Sequence, residues 1–557
     1  NRYKPPLRRP DIDPEPMLDV YFTIVELITT PEEEAFFQSL LQNDIAAARG
    51  GATKAVKQRE QKKRAADYKA FAKLQNAKEC FLYLQGGPGF GAPTPITGIG
   101  LGDQSSWVGA ALSKGFKRIV LMDQRGTGRS TPVTKQTLQK RFPDLFALDQ
   151  ASPQVLTDGD ASSMASVEEE LKAGEELKVA QVRKALMEAT DYMSHFRADN
   201  IVKDSEAVKD ALLLPLEEED EDEDGAETKS QARPWGAALG QSFGGFCMMT
   251  YLSLIPNPPM ICLLTGGIAP MLTNVDDVYS SLRERVKERN LKYFERYPSD
   301  VDVIKRIVRR LETKPAVLPS GGLLTARRFL QVGIGLGGSP SAFASLHSLF
   351  SSAFVSDDDE DDDDLRNAFL KQMDMTQPFD DHPIYFLMHE SLYVDDNSDC
   401  KRSEWSAFKA CKASPEFDFQ ISSRKDGSAE PTLLTGEMVF PWMADGDYAE
   451  LSGMGMRALA QSLASKDDWG NVYNADNMRK ALAVDGTGVS KAAAAVYYDD
   501  MYVDFNASMK VTQRGNPLEH CKVWVSNEYQ HSGLRDDGVM IFNKLLGMAR
   551  GEVGTPS

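Results

Sequence analysis

Cysteine and histidine are both scarce, with six of each in 557 residues. The cysteines (Cys80, Cys247, Cys262, Cys400, Cys411 and Cys521) are far apart. None forms a C-x-x-C pair or clusters with histidine, which argues against a structural zinc site and against a disulfide scaffold. A reducing, cytoplasmic setting is therefore expected. There is no uncharged apolar run of about 18 residues, so no membrane span is expected. Residues 1–14 are basic and proline-rich without an apolar centre, unlike a secretory leader. A basic field suited to nucleic acid is also missing.

The formal charge of -19 comes mostly from two places. Residues 217–224 are eight consecutive acids, and residues 357–364 are eight more, leaving about -3 for the rest of the chain. Such runs repel themselves and cannot bury apolar surface, so both are expected in solvated insertions.

With 42% apolar and 26% charged residues, the composition is that of a globular protein, and its length calls for more than one packed unit. Residues 17–28 read as an early strand, and 31–78, rich in Ala, Lys and Gln, as a charged helical excursion. Buried-strand patterns follow at 80–84 (CFLYL), 118–122 (RIVLM), 235–239 and 260–265, and return at 492–498 and 523–526. Helical patterns lie between them, near 167–191, 199–214 and 536–550. Strands alternating with helices predict a doubly wound, mostly parallel α/β sheet. The long helical block 272–488 reads as a cap inserted between late strands. The core is then expected in two parts, 1–271 and 489–557.

Gly240-Gln241-Ser242-Phe243-Gly244 follows a short apolar strand and precedes a helix. This is the setting in which G-x-S-x-G holds a nucleophilic serine above the sheet. Ser242 needs a base, and that fold's chain order places the histidine last. His195 comes too early, and His347, His382 and His389 fall in the helical block. His520 precedes its strand, whereas His531 follows it, at the edge where catalytic groups collect. The orienting acid should follow the previous strand, where Asp499, Asp500 and Asp504 all stand, and spacing does not choose among them. Backbone donors for an oxyanion are expected from Phe243 and from the turn Gln85-Gly86-Gly87-Pro88-Gly89; one such donor is typically worth about 3 kcal/mol of barrier. Glycine clusters at 98–102 and 333–338 follow no clear strand and read as loops.

Four segments in order resemble the proline iminopeptidase family of α/β-hydrolases: Gly86-Gly87-Pro88-Gly89, Asp123-Gln124-Arg125-Gly126-Thr127-Gly128-Arg129-Ser130, Gly240-Gln241-Ser242-Phe243-Gly244-Gly245, and Glu528-Tyr529-Gln530-His531-Ser532-Gly533. The resemblance implies an α/β-hydrolase fold and release of an N-terminal residue, typically proline, from a peptide, without metal or cofactor. It assigns Ser242 as nucleophile, Asp500 as acid and His531 as base. Gly87 and Phe243 then supply the oxyanion donors, with Gly86 beside the substrate. Cap glutamates bind the free α-amino group in such enzymes, and Glu390 and Glu437 resemble them. The 123–130 loop is expected to stiffen the site through internal ion pairs. One departure is Gln85, where the family usually has histidine. Two other readings stay open: an esterase or broader (including tripeptidyl) aminopeptidase, and a binding protein on an inactive hydrolase scaffold.

Overall fold

The computed structural model describes residues 2–3, 19–26, 80–95, 106–151, 176–212, 234–355, 364–377, 379–396, 398–424 and 430–554. The helical excursion expected at 31–78, the acidic run 217–224, all but the last residue of 357–364, and the glycine cluster at 98–102 lie outside the described residues.

Eight strands form one sheet. In chain order they are β1 (Arg2–Tyr3), β2 (Val20–Glu26), β3 (Cys80–Leu84), β4 (Arg118–Met122), β5 (Ala237–Gln241), β6 (Ile261–Thr265), β9 (Lys491–Tyr497) and β10 (Lys522–Ser526). A separate hairpin, β7 (Ala316–Val317) with β8 (Leu323–Leu324), lies between β6 and β9. The spatial order is β1-β2-β4-β3-β5-β6-β9-β10. β1 and β2 pair antiparallel, β2 pairs antiparallel with β4, and every later pairing is parallel.

The strand sequences explain this arrangement. CFLYL, RIVLM and AALGQ are buried along their whole length, as a parallel sheet covered on both faces requires. Alternation along each strand divides the side chains. Leu82, Leu84, Val120, Met122, Ala238 and Leu264 share a core cluster with the helices Ala198–Leu212 and Phe243–Leu254. Phe81, Tyr83, Ile119, Leu121, Leu239 and Leu263 share the opposite one with Trp107–Ser113 and Gly538–Arg550. The helix Phe243–Leu254 is apolar all round, in keeping with its burial. This is the α/β-hydrolase fold.

Between β6 and β9 the chain is mainly helical, as expected, beginning with Val275–Arg296 and Asp300–Thr313. Packing divides the chain differently from the expected boundaries in two places. Val472, Tyr473, Met478 and Leu482 join the sheet-side cluster containing Phe246 and Met249, although they lie within 272–488. Conversely, Phe142, Leu145 and Phe146, and the helix Glu176–Ser194 through Leu186 and Met193, join the cap's core. Thr190 Oγ1 donates across that contact to Ser462 Oγ at 2.7 Å. Among the described residues, no helix is long and apolar enough to cross a membrane.

Candidate active site

The turn between β5 and the helix Phe243–Leu254 forces Ser242 into a conformation with φ 55° and ψ -125°. Positive φ is costly for a residue with a Cβ, on the order of 1–3 kcal/mol, so the surroundings must hold it there. They do so through Ser242 N–H, which donates to Thr265 O at 3.0 Å, and Ser242 O, which accepts from Gly245 N at 2.7 Å. The turn fits only with glycine at its flank, because a Cβ on Gly244 would stand 2.0 Å from Leu84 O. Phe243 is the first helical residue, so its N–H has no partner within the helix.

The other parts arrive from β9 and β10. His531 Nδ1 hydrogen-bonds Asp500 Oδ2 at 2.8 Å. The other oxygen, Oδ1, accepts from Tyr502 N at 2.8 Å and Val503 N at 3.1 Å, which fixes the carboxylate. The structure therefore separates the three candidate acids. Asp499 pairs with Lys292 at 2.9 Å on the cap, and Asp504 caps the helix Phe505–Val511 through Ala507 N at 2.8 Å. Burial works against a charged His531, but the charge and hydrogen bond of Asp500, aided by Glu437, outweigh it and hold the ring above the ordinary histidine value.

Ser242, His531, Gly86, Gly87 and Glu437 line one cavity of about 270 Å³. Its apolar wall comes from Phe90, Ile334, Phe379, Tyr385 and Tyr502. Gly86 lies against the serine, since a Cβ there would be 2.9 Å from Ser242 Cβ. Gln85, the departure from the family pattern, also lines the cavity; its Oε1 accepts from Tyr83 OH at 2.8 Å.

The two cap glutamates have different settings. Glu437 faces the cavity and accepts from Tyr385 OH at 3.1 Å. Burial pushes its carboxyl up to about 7, against the opposing pull of His531 and Tyr385. Glu390 is also pushed up to about 7 by burial, but it does not line this cavity. Its two oxygens accept from Ser406 N at 3.1 Å and Ala407 N at 2.9 Å, at the start of the helix Ser406–Lys412.

The 123–130 loop is stiffened by means other than internal ion pairs. Asp123 accepts from the backbone N–H groups of Ala92 and Arg129 at 2.8 and 2.9 Å. Arg125 reaches out of the loop to Asp204, with Nε and Nη2 at 2.7 and 2.6 Å from the carboxylate, both side chains buried. Gln124 Nε2 donates to Gln85 O at 2.9 Å, tying this loop to the glycine turn. The glycine cluster 333–338 forms most of a short 3-10 helix, Gln331–Gly337, and its Gly335 lines the cavity.

Sequence reasoning missed Tyr385, Tyr502 and Arg535, all of which line the cavity. Tyr502 and Arg535 stand close to Asp500 and His531 in sequence, so the segments around those two candidates could have pointed towards them. Tyr385 lies in the cap with no local signal. Among the described residues, no group of three His, Cys, Asp or Glu side chains could hold a metal ion.

No protein-family model matches the chain. Among curated proteins, the chain is 33% identical over 478 residues to a proline iminopeptidase of Aeromonas sobria, covering 86% of this chain and 89% of that protein. It is 28% identical over 453 residues to proline iminopeptidase aneH of Aspergillus aculeatus, covering 81% of each. Solved structures similar to it include a non-heme bromoperoxidase, BpoC, of Mycobacterium tuberculosis, at 11% identity and a TM-score of 0.29 over 86% of this chain and 93% of that one. Another is esterase E22, at 10% and 0.32 over 83% and 88%. The fold assignment rests on the strand order and pairing described above. The chain is a hydrolase of the α/β-hydrolase fold and belongs to the proline iminopeptidase family.

Proposed function

We propose that the protein is a serine exopeptidase that releases an N-terminal residue, proline above all, from peptides. The observation that carries this reading is the convergence of Ser242, the His531–Asp500 pair and the Glu437 carboxylate on one cavity.

In this reading, Ser242 Oγ attacks the carbonyl carbon of the first residue while His531 Nε2 takes its proton. Asp500 keeps the other ring nitrogen protonated and stabilises the imidazolium as it forms. The developing oxyanion is held by the N–H groups of Phe243 and Gly87. His531 returns the proton to the departing amine as the C–N bond breaks, leaving the acyl group on Ser242. Water then attacks that ester with His531 again as base, and the free amino acid leaves. Glu437 pairs with the substrate's α-ammonium, and a blocked N-terminus would leave that carboxylate unpaired in a confined site, which selects against it. Proline's compact ring suits the aromatic wall of Phe90, Phe379 and Tyr385.

The test is hydrolysis of prolyl-4-nitroanilide beside alanyl and tripeptidyl anilides and a simple phenyl ester. The proposal expects the prolyl substrate to have the highest kcat/KM among the anilides and Ser242→Ala to abolish turnover. Preference for a tripeptidyl anilide, or for the ester with no anilide cleaved, would replace it with the corresponding alternative.

A further inference from the structure

Among the described residues lining the catalytic cavity there is one carboxylate, Glu437, and one guanidinium, Arg535. Their exposure differs. Glu437 is half-buried in the cap, whereas Arg535 is exposed on the helical turn Gly533–Asp536 that follows His531. The Arg535 guanidinium makes no hydrogen bond and no ion pair among the described residues. Its charge is nevertheless felt inside the cavity, opposing protonation of His531 and favouring ionisation of Tyr502. The cavity lining therefore carries a negative charge on a half-buried group and a positive charge on an exposed one, together with Ser242 and His531.

We propose that Arg535 binds the C-terminal carboxylate of a short peptide substrate, so that the enzyme favours dipeptides over longer chains and over C-terminal amides. This rests on the exopeptidase reading, because a peptide with its ammonium at Glu437 and its first carbonyl at Ser242 must send its leaving residue towards the open side. In a dipeptide the carboxylate follows the scissile bond by about one residue length, roughly 3.5 Å of chain. A planar guanidinium with five donors matches a carboxylate in two-point fashion, and an unpartnered one gives up no internal bond to do so. A longer peptide carries its terminal charge away from the rim and loses the contact. Because Arg535 is exposed, the gain is modest and salt-sensitive, about two- to fivefold in affinity.

The experiment is calorimetric titration of Ser242→Ala with Pro-Gly and with Pro-Gly amide, at low and high salt, repeated with Arg535→Gln and Arg535→Lys added. The acid should bind about two- to fivefold tighter than the amide at low salt. That preference should narrow at high salt, vanish with Gln and survive in part with Lys. Any effect of Arg535 on His531 protonation acts on both ligands alike and cancels in the ratio. Equal affinities for acid and amide, a preference that persists in Arg535→Gln, or binding of neither peptide overturns the inference. Turnover of prolyl-4-nitroanilide, which has no carboxylate, tests the exopeptidase reading separately.

Discussion

Replacing Glu437 by Gln keeps the size of the cavity wall and an oxygen for the Tyr385 hydroxyl, but removes the one carboxylate that lines the site among the described residues. A close ion pair in a confined site is worth about 2–4 kcal/mol, so kcat/KM for prolyl-4-nitroanilide should fall about 30- to 1000-fold. A phenyl ester without an amino group should not share that loss. The pH dependence follows from the shifts. With its carboxyl pushed up to about 7, Glu437 gains charge as pH rises through that value, so ammonium binding strengthens over the same range until the substrate amine deprotonates. Glu437 also helps hold His531 above its ordinary value, so its loss lowers the histidine. Since His531 must be neutral to act as base, the acid limb of ester hydrolysis should move to lower pH in Glu437→Gln. The assay is a pair of pH profiles at constant ionic strength, one per substrate. Equal losses on both substrates, or an acid limb that stays put or moves up, would refute this reasoning.

Three further outcomes are expected. Asp500→Asn removes the charge that holds and raises His531, so kcat should drop on the order of 10⁴-fold while urea unfolding changes little by comparison. Asp204→Ala leaves the buried Arg125 guanidinium without its carboxylate, which should cost about 3–5 kcal/mol of stability, read from the shift in urea midpoint. Glu390→Ala strips the acceptors from Ser406 and Ala407 N–H and should cost about 1–3 kcal/mol in the same assay, while the ratio of prolyl to ester activity stays near that of the wild type.

The positions of Ser242 at the turn and of His531 beside Asp500 were legible because their signals are local. A serine at positive φ needs glycine beside it, and the G-x-S-x-G spacing records that need directly. His531 emerged because the histidines were few and the order of strands is fixed by the fold. The acid was harder, since Asp499, Asp500 and Asp504 all follow β9; only the three-dimensional path turns Asp500 towards the imidazole and leaves the others to Lys292 and a helix cap. The cap was least legible. Whether a glutamate faces the cavity depends on how the cap's helices and loops lie over one another, and Glu390 and Glu437 carry nothing in their neighbours that tells them apart. The cap's limits were obscured for a similar reason. Met478 and Leu482 look like any apolar helical residues, but they pack beneath the sheet, while Leu186 and Met193, far upstream, complete the cap. The 123–130 loop was recognised by pattern, yet its charges find partners in the backbone and in Asp204, which lies outside the motif.

The most direct test of the account is fluorophosphonate labelling followed by peptide mapping of the wild type and His531→Ala. The account predicts one adduct, on Ser242, in the wild type and almost none in the variant, because a hydroxyl at this elbow reacts only when the imidazole takes its proton. An unlabelled Ser242 in active protein, or labelling that persists without His531, would contradict it.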